Sequence, residues 1–173
     1  MEPVIVIVLV GVAGVGKTTV GQRLAAELGW TFRDADELHS PASVERMRQG
    51  RALAEAQRGP WLDELAGLIA RHLRDDVPLV LACSALRRAH RRALLARAPD
   101  PRRVRMVYLR ADPVLLALRL EQRTGHFFPA ELLADQLATL EPPGADEPAA
   151  VLTLDAAEPV AVLVGAVRRG LGV

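Results

Sequence analysis

Val4–Val20 reads VIVIVLVGVAGVGKTTV. Its first part, Val4–Val10, is wholly apolar and mostly β-branched, the pattern of a strand buried on both faces. Gly11-Val12-Ala13-Gly14-Val15-Gly16-Lys17-Thr18 follows and fits G-x-x-x-x-G-K-[ST]. Val20, Leu24 and Leu28 then recur at helical spacing until Gly29 ends the run. Strand, glycine loop and helix together make a phosphate-binding loop. Backbone N–H groups from Gly11 to Thr19 turn around phosphate oxygens, and the helix N-terminus adds its partial positive charge. Lys17 is placed to reach the β- and γ-phosphates, and Thr18 to put a hydroxyl on Mg²⁺. The nucleotide this implies is ATP.

Of the 22 lysines and arginines, Lys17 is the one lysine. A chain that otherwise takes its positive charge from arginine has a compact ammonium where the loop needs one. The remaining composition is ordinary. In 173 residues, half are hydrophobic, a quarter are charged, and the net charge is +1. No global field draws such a chain to nucleic acid or to a membrane. One cysteine, Cys83, excludes an internal disulfide. No leader or membrane span is visible, so the expectation is a cytoplasmic protein with a single kinase-type domain over residues 1–173.

Beyond the first helix, Trp30–Arg33 is a β-prone run ending in Asp34-Ala35-Asp36. Ser40-Pro41 opens a helix through Arg48, and Pro60 reads as the first-turn proline of a helix from Trp61 to Arg74. Val77–Cys83 is a third strand, Leu86–Arg97 an arginine-rich helix, and Val104–Leu109 a fourth strand. Helices follow from Pro113 and from Pro129, the second to about Leu140. Val151–Leu154 and Pro159–Leu171 form a closing strand and helix. This alternation predicts an α/β three-layer fold of the P-loop type: a five-stranded parallel sheet, helices on both faces, and a mobile lid over about 119–137.

Ligands of such sheets bind beyond the strand carboxyl ends. The second strand ends in Asp34-x-Asp36, with His39 close behind. Alternate residues of an extended segment face the same way, so both carboxylates can serve one site. Asp34 is the metal-side candidate and Asp36 the candidate base for the attacking hydroxyl. The competing reading is an Asp-rich turn that caps the next helix. The third strand ends in Cys83-Ser84-Ala85-Leu86-Arg87-Arg88, with no acid where many ATPases carry one, which argues against a motor. Ser84 suits either a contact to acceptor or phosphate, or a helix N-cap. The run Arg87, Arg88, His90, Arg91, Arg92 reads as a solvated helix face, and His72 and His90 as surface residues. With few aromatics nearby to stack bases, it does not read as a nucleic-acid site. Arg119 and Arg123 lie four apart, as on one helix face, just before Thr124–Pro129, the arrangement of an arginine-bearing lid. Arg123 is thereby a catalytic candidate beside Lys17 and Asp36.

Several segments in order resemble one family: the phosphate loop, Asp34-x-Asp36-x-x-His39, Arg58-Gly59-Pro60-Trp61-Leu62, Cys83-Ser84-Ala85-Leu86-Arg87, Gly125-His126-Phe127, and Gln136-x-x-Thr139-Leu140-Glu141-x-Pro143. The chain resembles the bacterial gluconokinases, small P-loop kinases related to shikimate kinase. The resemblance implies ATP- and Mg²⁺-dependent phosphorylation of D-gluconate to 6-phosphogluconate by a homodimer. By matching positions it implies Asp36, His39, Arg58, Trp61, Arg87, His126 and Gln136 near the sugar acid, and Arg119 and Arg123 near the nucleotide. This sequence departs from the family pattern at Ala35, where glycine is usual. It departs again at Leu53–Gln57, where an acidic run is usual and only Glu55 keeps a carboxylate. Two other readings stand beside the leading one: a kinase for another sugar acid or a shikimate-like acceptor, and a regulatory protein that binds ATP without transfer.

Overall fold

The computed structural model of the chain describes residues 2–123 and 130–173. Five strands, β1 (Val6–Val10), β2 (Thr31–Asp34), β3 (Leu79–Ala82), β4 (Val104–Arg110) and β5 (Ala150–Asp155), form one sheet. All pairings are parallel and the order is β2-β3-β1-β4-β5, with β1 at the centre. Parallel neighbours need crossovers, which the helices supply. They are α1 (Lys17–Leu28), α2 (Pro41–Arg48), α3 (Glu55–Arg74), α4 (Arg88–Leu95), α5 (Pro113–Glu121), α6 (Ala130–Thr139) and α7 (Val160–Leu171). Among the described residues no helix is long and apolar enough to cross a membrane.

The apolar run of β1 has the physical cause expected of it. Val6, Val8 and Val10 pack with Leu65 and Ile69 of α3 and Leu94 of α4. Ile7 and Leu9 pack on the other face, with Val20 and Leu24 of α1, Leu116 of α5 and Val167 of α7. A strand with helices on both sides has no face to spare for polar side chains. Gly29, at φ 68°, ends α1 in the left-handed conformation, its N–H donating to Ala25 O.

Two boundaries and one burial assignment differ from the sequence expectation. Pro60 does not open α3. The helix begins at Glu55, after Ala54, whose N–H is held by Gln57 Oε1 at 3.2 Å. Pro60 is therefore interior, in the second turn, where it removes one backbone donor. The arginine-rich helix starts two residues late, at Arg88, because Ala85 at φ 39° turns the chain first. His90 and Arg91 are not surface residues: His90 is 7% exposed and Arg91 is fully buried. Arg87, Arg88 and Arg92 are exposed as expected. The segment 124–129, which carries the expected site residue His126, lies outside the described residues.

Candidate active site

The C-terminal ends of β1, β2 and β3 open into one cleft of about 210 Å³. The phosphate loop forms its floor. Gly16, at φ 98°, makes the turn into α1, a conformation that side chains with a Cβ rarely adopt. At Gly11 a Cβ would sit 2.8 Å from Leu109 O, so the loop can leave the sheet this closely only without one. Lys17 Nζ donates to Gly11 O at 2.9 Å and Val12 O at 3.1 Å, so the ammonium lies against the loop it serves. Burial lowers its pKa, and the Asp36 carboxylate opposes that shift.

The β2 end supplies the acids. Thr18 Oγ1 donates to Asp34 Oδ2 at 2.7 Å, and Asp34 Oδ1 accepts from Asp36 N at 3.0 Å. Asp34 thus does both things the sequence allowed: it caps the 3₁₀ turn Ala35–Leu38 and faces Thr18. Asp36 belongs to that turn rather than to an extended segment, yet it lines the same cleft. The His39 imidazole, with Nε2 3.4 Å from Asp36 Oδ1, is the largest influence on its carboxyl and holds it below the usual carboxylate range. Partial enclosure in the cleft opposes this, and the Lys17 ammonium adds to the lowering. His39 stacks on Trp61 with ring centroids 4.3 Å apart, and Trp61 Nε1 donates to Ala35 O at 2.8 Å. The indole therefore fixes the backbone between the two aspartates and the ring beside the second.

Arg58 and His90 close the far wall. Glu55 pairs with Arg58, so the one carboxylate left in the Leu53–Gln57 stretch holds that guanidinium. Burial first, and the Arg58 charge second, push the His90 imidazole down to about 4. An unfolded histidine titrates at roughly 6.5, so between these values the unfolded chain binds more protons. Stability from this source is complete above about pH 6.5 and drains away as the pH falls toward 4. His90→Gln should therefore shrink the difference in urea midpoint between pH 7 and pH 4.5. An unchanged difference would contradict the assignment.

Two site residues named from the sequence lie outside this cleft: Arg87, expected near the sugar acid, and Arg119, expected near the nucleotide. Arg87 is exposed at the N-cap of α4 and does not line the cleft; its N–H donates to His90 Nδ1 at 3.3 Å. Arg119 lies on the other side of the phosphate loop, donating to Val15 O at 3.3 Å and Ala156 O at 2.6 Å. There it lines a second cavity of about 220 Å³ with Gly14, Glu158, Val160 and Leu163. Arg123 follows α5 instead of sharing its face with Arg119, and borders both cavities. Gln136 lines the cleft, and its Oε1 accepts from Ala13 N at 2.8 Å, a direct tie between α6 and the phosphate loop.

The sequence reading missed Leu132, Asp135 and Thr139, which line the cleft beside Gln136. The signal was present: positions 132, 135, 136 and 139 share one helix face. It also missed the Ala156–Val160 loop after β5, for which no motif speaks.

A family model described as an AAA domain matches residues 6–143. The gluconokinase of Gluconobacter oxydans is 45% identical over 142 residues, which cover 82% of this chain and 78% of that one. The chain belongs to the gluconokinase family. Among solved structures, a gluconokinase from Sinorhizobium meliloti has 35% identity and a TM-score of 0.85, over 99% of this chain and 94% of that one. An unliganded sugar kinase from Janibacter sp. HTCC2649 has 35% identity and a TM-score of 0.90, over 98% of this chain and 95% of that one. The likeness to gluconokinases thus spans both cavities, and the family is one of phosphotransferases acting on a hydroxyl group.

Proposed function

We propose that this chain transfers the γ-phosphoryl group of ATP to D-gluconate, giving 6-phospho-D-gluconate and ADP. The observation that carries the reading is the convergence of Lys17, the Thr18–Asp34 pair and Asp36 on one cleft. The cavity behind the phosphate loop, with apolar Val160 and Leu163 and the Arg119 guanidinium, suits a base and ribose. Arg58, Trp61, His39 and His90 line the acceptor half of the cleft. A guanidinium there suits the carboxylate of a sugar acid, which it can grip with two hydrogen bonds.

A hydroxyl and a carboxylate in contact, Thr18 and Asp34, are hard oxygen donors of the kind Mg²⁺ takes. Among the described residues no three His, Cys, Asp or Glu side chains gather at one point, so the remaining ligands would be water and phosphate oxygens. Held by Thr18 and Asp34, Mg²⁺ would supply positive charge against the phosphates of the nucleotide. The phosphate-loop N–H groups and Lys17 orient the γ-phosphoryl group. Asp36 accepts the proton of the attacking hydroxyl as the new P–O bond forms and the bond to the β-phosphate oxygen breaks.

Arg123, at the junction of the two cavities, stabilises charge that develops during transfer, as the cation of a lid over about 119–137. Arg123→Ala should lower kcat more than it raises the KM for ATP, by about 10²-fold or more. Full turnover with weakened ATP binding would count against this role. The family resemblance also supports a single-domain cytoplasmic homodimer, which sedimentation tests for the assembly. ADP release with gluconate, other sugar acids, shikimate, or no acceptor tests the substrate. Gluconate should give the highest kcat/KM. ATP binding without acceptor-dependent release would leave a regulatory protein.

A further inference from the structure

The connector from β3 to α4 has an unusual support. Ala85, with φ 39°, is a non-glycine residue in the left-handed region, where a Cβ is crowded by the following carbonyl. Such a conformation persists only where its surroundings over-determine it. Here the surroundings are a buried guanidinium. Arg91 Nη1 donates to Ala85 O at 2.9 Å and to Leu86 O at 3.1 Å. Arg91 Nη2 donates to Glu147 Oε1 at 2.6 Å, and the two side chains are 0% and 1% exposed. Glu147 comes from the segment between α6 and β5, far away in sequence. On its other side the connector touches the phosphate loop, Ser84 O accepting from Gly11 N at 3.3 Å. Leu86 O accepts a further bond, from Glu141 N at 2.8 Å.

A buried ion pair is a poor way to stabilise a core, because desolvating both charges cancels most of their attraction. Apolar side chains of similar volume would fill the space at less cost. What they would not supply is a planar guanidinium whose Nη1 donates to two consecutive carbonyls while its Nη2 is held by Glu147. The Ser84 carbonyl, held by the Gly11 N–H, and the Ala85 carbonyl, held by Arg91, flank the dihedrals of Ala85, so these two bonds fix the turn there. The turn decides where Ser84, Ala85 and Leu86 line the cleft, beside the end of β2, and where α4 presents His90.

We propose that Arg91 and Glu147 are positioning residues for the acceptor half of the cleft, acting through the Ala85 and Leu86 carbonyls. The proposal rests on the kinase reading for its substrate readout alone.

The lone cysteine supplies a readout that needs no substrate. Cys83 sits at the start of the connector, 1% exposed, and burial pushes its thiol up to about 12, so it is unreactive while the connector is held. The test compares the wild type with Arg91→Met/Glu147→Leu, which removes both charges together, and with Arg91→Lys, which keeps both charges but not the planar guanidinium. Single removals would leave one buried charge unpaired and risk unfolding.

The double variant should melt within a few degrees of the wild type while Cys83 reacts with a thiol reagent about tenfold faster or more. Its KM for gluconate should rise about tenfold, with the KM for ATP changed less than about twofold. Arg91→Lys should fall between the two. A folded double variant with wild-type Cys83 reactivity and wild-type gluconate KM would overturn the proposal. A parallel rise of both KM values would overturn it too, because the pair would then support the domain as a whole. If the wild type shows no gluconate-dependent turnover, the kinase reading fails by itself, and Cys83 reactivity still decides whether the pair holds the connector.

Discussion

Lys17→Ala is expected to lower kcat by about 10³-fold or more while leaving the fold unchanged. The ammonium lies against the phosphate-loop carbonyls, bonded to Gly11 O and Val12 O. Lys17 is half-buried at the first position of α1, outside the sheet, so its truncation leaves the sheet and helices packed. Transfer spreads negative charge over the γ-phosphoryl oxygens, and the loop N–H groups alone cannot balance it. Lys17→Arg should recover little, since a planar guanidinium does not match a compact ammonium nested in a loop. Turnover by ADP release, together with circular dichroism, checks both statements. Near-wild-type turnover in a folded Lys17→Ala would remove the phosphate-loop reading.

Asp36→Asn is expected to cost about 10²–10⁴-fold in turnover, the span of a positioned general base. Asparagine keeps the size of aspartate and its bond-accepting oxygen beside His39, but it cannot take the hydroxyl proton. ATP binding should survive, because Thr18 and Asp34 remain paired. Asp34→Asn should differ in kind. It weakens the hard-oxygen site, so its defect should appear as a raised Mg²⁺ requirement that excess Mg²⁺ relieves. Titrating Mg²⁺ against turnover for both variants separates the roles. Rescue of Asp36→Asn but not of Asp34→Asn would mean that the roles are interchanged. If neither variant loses tenfold, the pair is a capped turn only.

The parts legible in the sequence are those that local physics dictates. The buried strand, the glycine loop and the helix behind it all follow from hydrophobic period and turn chemistry, and α1 stops at Gly29 as read. The aspartate pair was found for a partly different reason. Alternation along a strand suggested a shared face, whereas Asp36 reaches the cleft from a 3₁₀ turn that Asp34 itself caps. His90 and Arg91 were misread because charge in a sequence signals solvent unless a distant partner is known. Glu147 lies 56 positions away from Arg91. Pro60 misled for a related reason: proline favours a first turn, but the preceding turn is anchored by Gln57 on Ala54 and by Glu55 on Arg58. The Ala13–Gln136 bond spans 123 positions, and no spacing rule reaches that far.

The central claim is that the cleft delivers the γ-phosphoryl group to gluconate and not to water. Phosphorus NMR of the reaction with equimolar ATP and gluconate tests it directly. The account predicts one ADP and one new phosphomonoester on the primary C6 oxygen for each ATP consumed, with negligible inorganic phosphate. ATP that stays intact, or that is recovered as ADP and inorganic phosphate at a rate indifferent to gluconate, would contradict it.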